Sequence, residues 1–250
     1  MQNVGVRKSC KKSLQCNKIY DTVWETMKKI LQHTFFDAYP DSVTLFEGCR
    51  TMGGWISRQS RLAKKIESDP SSAKFSSDKT TPEDIANDFR GASFEGFTEI
   101  FIHAFGVDPH IGIKNCIPFE GKDYGVDLVG VGNNGRPATV QCKFRTEYDK
   151  VLYGEKDHLH NFLIQSWEDC GVSKDDDNNM LIITTAKEIY YYDMTNEWNN
   201  KVKYISLNQS WGCFRGLRYQ PQDPTNVFSL RSMVDGNSLF WQLATEMIME

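Results

Sequence analysis

No run of apolar residues in the 250-residue chain approaches the roughly 18–20 needed to cross a bilayer. A hydrophobic signal segment is also missing from the N-terminus. The expectation is a protein without a membrane partner, working in the cytoplasm, or in the host cytoplasm if phage-encoded. Cys-x-x-Cys pairs are absent too. The seven cysteines, at 10, 16, 49, 116, 142, 170 and 213, are odd in number and scattered, which argues against a disulfide framework or a zinc site and for reduced thiols.

A positive overall charge is lacking as well, the formal net being −4. Its distribution is uneven, however. Residues 1–65 hold 12 Lys and Arg against 5 Asp and Glu, a net of +7, while the remainder holds 17 against 28, a net of −11. Lys8, Lys11, Lys12 and Lys18, then Lys28 and Lys29, then Arg58, Arg61, Lys64 and Lys65 form three basic groups interleaved with Tyr20, Trp24 and Trp55. Such a region suits a phosphate backbone; a solvated basic surface is the alternative of equal weight.

What is present is concentrated in residues 125–145, GVDLVGVGNNGRPATVQCKFR. Two short runs rich in Val, Leu and Thr flank Gly132-Asn133-Asn134-Gly135, a turn signal. A three-residue loop with Gly135 in the left-handed conformation centres the hairpin on Asn134 and sets Asp127 opposite Gln141. Alternation then points Gln141 and Lys143 one way and Cys142 the other, while Leu128, Val140 and Cys142 suit burial. Cross-strand Cβ atoms lie roughly 4.5–5.5 Å apart, close enough for an acid and an amide oxygen to share a divalent cation. An ordinary amphipathic hairpin with a solvated polar face is the competing reading.

Upstream, residues 92–105 space Phe94, Phe97, Ile100, Phe101 and Phe105 as one helical stripe. Ser93 is the expected N-cap. Glu95 and Glu99, four apart, share a side of that helix.

These pieces resemble the PD-(D/E)xK nuclease superfamily, and within it the Mrr-like restriction endonucleases that carry Gln before x-Lys. The resemblance rests on Phe94-Glu95 opening a helix, Gly125-Val126-Asp127 opening a strand, Val140-Gln141-Cys142-Lys143 in the next strand, and a later strand Leu181-Ile182-Ile183-Thr184-Thr185. It covers residues 92–207. It implies an α/β, restriction-endonuclease-like fold, a mixed central β-sheet flanked by helices, here with a helical N-terminal extension. It also implies a metal-dependent deoxyribonuclease whose catalytic residues are Asp127, Gln141, Lys143 and Glu95. Asp127, Gln141 and Glu95 would ligate Mg²⁺ or Mn²⁺, with Glu99 as the alternative to Glu95, and DNA is the partner.

Hard oxygen ligands suit Mg²⁺, and Gln141 supplies an oxygen without a charge, which raises the value of a helix acid. Lys143 has two open roles, electrostatic stabiliser or general base. Arg145, Lys150, Arg61, Lys64 and Lys65 are the candidates for phosphate contacts, and solvation is preferred for Lys156. His103 reads as a histidine at the core edge, and His158 and His160 diverge on their helix and form no metal pair.

Composition divides the chain into a basic helical region at 1–67, a linker at 68–81, a nuclease core at 82–208 and an extension at 209–250 ending in a helix. Helices are expected over 17–36, 54–66, from Pro82 with Thr81 as cap, 157–170 and 237–249, and strands over 180–185 and 202–207. Residues 173–179 read as a solvated loop. Strand, helix and strand after the hairpin imply a crossover. No complete helicase motor fits, so a homodimer and a helicase or other subunit of a larger machine stay open as partners. So do a non-cleaving DNA-binding subunit and a junction resolvase as functions.

Overall fold

The computed structural model describes residues 31–72, 79, 81–121, 125–146, 151–153, 159–176, 179–186, 188–190, 201–208, 210–211, 213–214, 217–218 and 229–249. The basic groups up to Lys29, Tyr20 and Trp24 lie outside them, as do Lys150, Lys156, His158, Asp177 and most of 212–227. Among the described residues the helices are α1 Thr34–Ala38, α2 Val43–Phe46, α3 Met52–Ser68, α4 Pro82–Phe105, α5 Leu159–Glu168, α6 Leu230–Val234 and α7 Ser238–Met249. The strands are β1 Ile113–Pro118, β2 Leu128–Gly132, β3 Pro137–Lys143, β4 Val151–Tyr153, β5 Met180–Thr184, β6 Glu188–Tyr190, β7 Val202–Ile205, β8 Ser210–Trp211, β9 Cys213–Phe214 and β10 Leu217–Arg218.

Six strands form one mixed sheet in the order β1-β2-β3-β5-β7-β8. β1, β2 and β3 run antiparallel, and β5 and β7 add in parallel beyond β3. A parallel neighbour needs a crossover connection, and α5 lies in the chain between β3 and β5. All five residues of β5 are buried, as a strand covered on both faces requires. The chain thus has the restriction-endonuclease-like α/β fold that the sequence implies. None of its described helices is long and apolar enough to cross a membrane.

The β2–β3 register pairs Leu128 with Val140 and Gly130 with Ala138, which centres the hairpin on Asn134, and Gly135 takes φ +77°. One sheet face meets α4: Phe94, Phe97, Ile100 and Phe101 share a core with Leu128, Val140, Leu181 and Ile183. Trp55 of α3, Phe46 of α2, and Phe240 and Trp241 of α7 join that core. The Trp55 and Phe97 rings lie 4.9 Å apart, and Phe97 and Phe240 5.9 Å. The other face meets α5, where Leu159, Phe162 and Leu163 pack with Met180, Ile182 and Tyr204.

Several expectations change. Residues 92–105 do not start their own helix: α4 begins at Pro82, where the Thr81 hydroxyl accepts the Asp84 N–H at 3.1 Å. Ser93 is therefore no N-cap but a buried mid-helix residue, its hydroxyl donating to the Arg90 carbonyl and accepting from Gln59. Residues 31–33 are not helical, and α1 starts only at Thr34. In α7 the inward stripe runs through Phe240, Trp241 and Ala244, and Leu239 is 53 % exposed. Asp176 is not solvated but buried, paired with Arg136 at 2.7 Å.

Candidate active site

Of the hairpin's polar residues, Gln141 is covered, while Asp127 and Lys143 are half-buried. Gln141 is 0 % exposed, and neither atom of its amide has a hydrogen-bond partner among the described residues. Its parallel neighbour is Ile182, of the α5-side core, so its side chain faces α5. There it lies against Gly125: a Cβ built on that glycine would come within 3.0 Å of Gln141 Nε2 and 3.1 Å of the Phe162 nitrogen. Gly125 also holds φ +129°, a conformation that only glycine adopts without strain. An unpartnered buried amide costs about 1–3 kcal/mol, and its oxygen is an acceptor without a partner among the described residues.

Asp127 precedes the first residue of β2. Val126 packs on the α5 side and Leu128 on the α4 side, so strict alternation breaks at Asp127. Extending the β2–β3 register by one step still places it across from Gln141. Its carboxylate turns to β3 and accepts the Cys142 N–H at 2.5 Å, while its own N–H donates to the Val140 carbonyl at 3.0 Å. The acid is thereby held on the Gln141–Lys143 segment.

Lys143 is half-buried at the end of β3, opposite Thr184 of β5. Its carbonyl accepts from the Thr184 hydroxyl at 2.6 Å and the Thr185 N–H at 3.3 Å. Arg145 follows two residues on, its N–H donating to the Thr185 hydroxyl at 2.6 Å. The two threonines thus fix the backbone from which both cations project.

On the other face, the Cys142 thiol is pushed well above its ordinary range, chiefly by burial and then by the negative charges of Asp127 and Glu95. Both carboxylates therefore bear on one thiol, although Gln141 faces α5 and Glu95 stands on α4. Glu95 is 31 % exposed at its side chain and bonded to His33 Nε2 at 3.0 Å. Glu99 differs. It is sealed in the core, where its two oxygens accept the backbone N–H groups of Gln32 at 2.9 Å and His33 at 3.1 Å. Burial pushes its carboxyl up to about 7. His103 lies 4.0 Å from it.

No group of three or more His, Cys, Asp or Glu among the described residues is placed to hold a metal ion. The donor set on β2 and β3 is different in kind: one carboxylate and one amide oxygen, the latter buried and unpartnered. Those are hard oxygens of the type Mg²⁺ takes when it keeps several waters, so the residues present fit such an ion.

Among the basic candidates, Arg61, Lys64 and Lys65 stand exposed on α3, whereas Arg58 donates to the Thr44 and Glu47 carbonyls. His33 is the residue that sequence reasoning misses. Only its place ahead of Thr34 signals it, and the expected helix over 17–36 hides that.

Comparison with known proteins adds one finding. Residues 110–210 match the family model Mrr_cat_2, described as a restriction endonuclease. No curated protein matches the chain, and no solved structure matches it. The matched stretch contains Asp127, Gln141, Lys143 and Arg145 and leaves out Glu95, Glu99 and His33. With the mixed sheet and its flanking helices, this match supports a restriction-endonuclease-like domain of the PD-(D/E)xK kind over residues 110–210.

Proposed function

We propose that the protein is a metal-dependent DNA endonuclease that hydrolyses phosphodiester bonds at Asp127, Gln141, Lys143 and Glu95, with Gln-x-Lys in place of the acid form of the motif. The observation that carries this reading is the buried Gln141 amide, unpartnered among the described residues, beside a carboxylate that β3 itself holds in place.

Asp127 and Gln141 would supply the oxygens for Mg²⁺ or Mn²⁺, and Glu95 would be the helix acid. Glu99 is the weaker candidate, since both of its oxygens accept backbone N–H groups. A bound divalent cation supplies Lewis acidity, lowering the pKa of a water and offsetting charge on phosphate.

The chain's own groups do the rest. The Cys142 N–H fixes one Asp127 oxygen and so aims the other. Lys143 offsets the negative charge that develops on the phosphoryl oxygens, or takes the proton from the attacking water. Arg145 holds the phosphate beside the cut, and the exposed Arg61, Lys64 and Lys65 extend the cationic surface. Gly125 and Phe162 wall the Gln141 amide on the α5 side.

The test is incubation of the full chain with plasmid, single-stranded DNA and a four-way junction, each with Mg²⁺, Mn²⁺ or EDTA. Nicking that requires the metal and is lost in Asp127→Ala and Lys143→Ala supports the proposal. Binding without cleavage under every condition would instead favour a DNA-holding subunit. Preference for the junction would mark a resolvase. Restriction, phage DNA processing and recombination are settings that this substrate preference separates.

A further inference from the structure

Three observations meet at α1 and the two residues before it. The Phe36 ring sits on Gly96 of α4, where a Cβ would fall 2.7 Å from Phe36 Cζ. Glu99 accepts the N–H groups of Gln32 and His33. His33 then uses both ring nitrogens: Nδ1 accepts the Phe35 N–H at 3.2 Å, capping α1, and Nε2 lies 3.0 Å from Glu95 Oε2. Because Nδ1 accepts, the ring proton is assigned to Nε2, which donates it to the carboxylate.

Glu95 is partly exposed, and a glutamate side chain left to itself samples many rotamers. Its Oε1 lies 4.0 Å from where a Cβ on Gly91 would stand, so the side chain folds back along α4 over a residue without bulk. His33 engages Oε2 and leaves Oε1 unengaged by it. Buried His33, 7 % exposed, is itself fixed by the cap and by the neighbouring rings of Phe35 and Phe36. A rigid donor thus grips a mobile acid.

We propose that His33 is a positioning residue for the nuclease site: its Nε2–H holds the Glu95 carboxylate by Oε2 in one rotamer and leaves Oε1 for the ion. This rests on the metal-dependent reading above. Partners that orient a ligating group in this way typically account for 10–100-fold in metal affinity.

The two ring nitrogens allow a test that separates positioning from folding. His33→Asn keeps an acceptor near Nδ1, so it preserves the cap, but it is too short to reach Glu95. His33→Gln places a donor near Nε2 and gives up the cap. With the full-length chain and Mn²⁺ alone as probe, bound ion is read by electron paramagnetic resonance and stability by urea midpoint. His33→Asn is expected to bind Mn²⁺ about 10-fold more weakly at an unchanged midpoint. His33→Gln is expected to bind as the parent does at a lowered midpoint. On a Glu95→Ala background, His33→Asn should weaken binding no further.

Affinity that follows the midpoint across the variants would overturn the proposal, as would parental binding by His33→Asn. Asp127→Ala separates the two levels. If it abolishes Mn²⁺ binding while His33→Asn leaves binding intact, only the role of His33 fails; if it binds Mn²⁺ like the parent, the metal-dependent reading fails as well.

Discussion

Gly125 is where backbone conformation and the proposed chemistry coincide. Its φ of +129° and the 3.0 Å approach of the Gln141 amide leave no room for a side chain. Gly125→Ala is expected to cost about 1–3 kcal/mol and to lower nicking further than that loss of folded protein accounts for. A urea midpoint and a cleavage rate on one preparation check this, and an alanine variant with parental activity would contradict it.

Glu99 makes a different prediction. Burial raises its carboxyl in the folded state from 4.5 to about 7, so the protonated form is favoured by folding. Stability from this group is complete below pH 4.5 and is lost as pH rises through 7, by up to about 3 kcal/mol at 1.4 kcal/mol per pH unit. His33 and His103 face the same carboxylate. Glu99→Gln should flatten the decline in urea midpoint across that window, and a decline of equal size in the variant would assign it elsewhere.

At the scale of elements, the docking of α1 on α4 depends on Gly96. Gly96→Ala gains about 1 kcal/mol of helix propensity but sets a methyl 2.7 Å from the Phe36 ring. The expected result is faster limited proteolysis around residues 31–36 with little change in global midpoint. Unaltered cleavage kinetics would mean that the ring re-seats without undocking.

Much of this level was legible in the sequence because local chemistry decided it. The Asn133-Asn134-Gly135 loop set the hairpin register, and Thr81-Pro82 marked the start of α4. The buried apolar residues of α5, Leu159, Phe162 and Leu163, follow from their spacing. What escaped was decided by tertiary contacts. Ser93 has the chemistry of a cap, but α3 and α4 pack around it and use its hydroxyl with Gln59 and Arg90. β1 breaks the alternating pattern at Asn115, which takes φ +54° beside a register shift. The bond from His33 to Glu95 spans 62 residues, and no local pattern encodes it.

Across the whole molecule, one core joins residues from Phe35 to Ala244. Trp241 of α7 packs against Phe46 and Phe97, and its indole N–H donates to the Val234 carbonyl at 2.7 Å. Trp241→Ala is therefore expected to cost about 3–5 kcal/mol, although α7 supplies none of the proposed catalytic groups. A loss below 1 kcal/mol in urea unfolding would show that α7 is an independent appendage. The proposed site was legible as a set of residue types in order; its seal under α5 and the turn of Asp127 onto the Cys142 N–H were not, because the first comes from tertiary packing with Gly125 and Phe162 and the second from the break in strand alternation at Asp127.

In the proposed function, Asp127 and Lys143 work with a divalent ion to cut DNA. Its most direct measurement is plasmid nicking by the full chain in Mg²⁺, in Mn²⁺ and in EDTA, beside Asp127→Ala and Lys143→Ala of parental stability. Cleavage is expected that EDTA abolishes and that each variant lowers by roughly 10²–10³-fold or more. Cleavage that persists in EDTA, or in a folded Asp127→Ala, would contradict it.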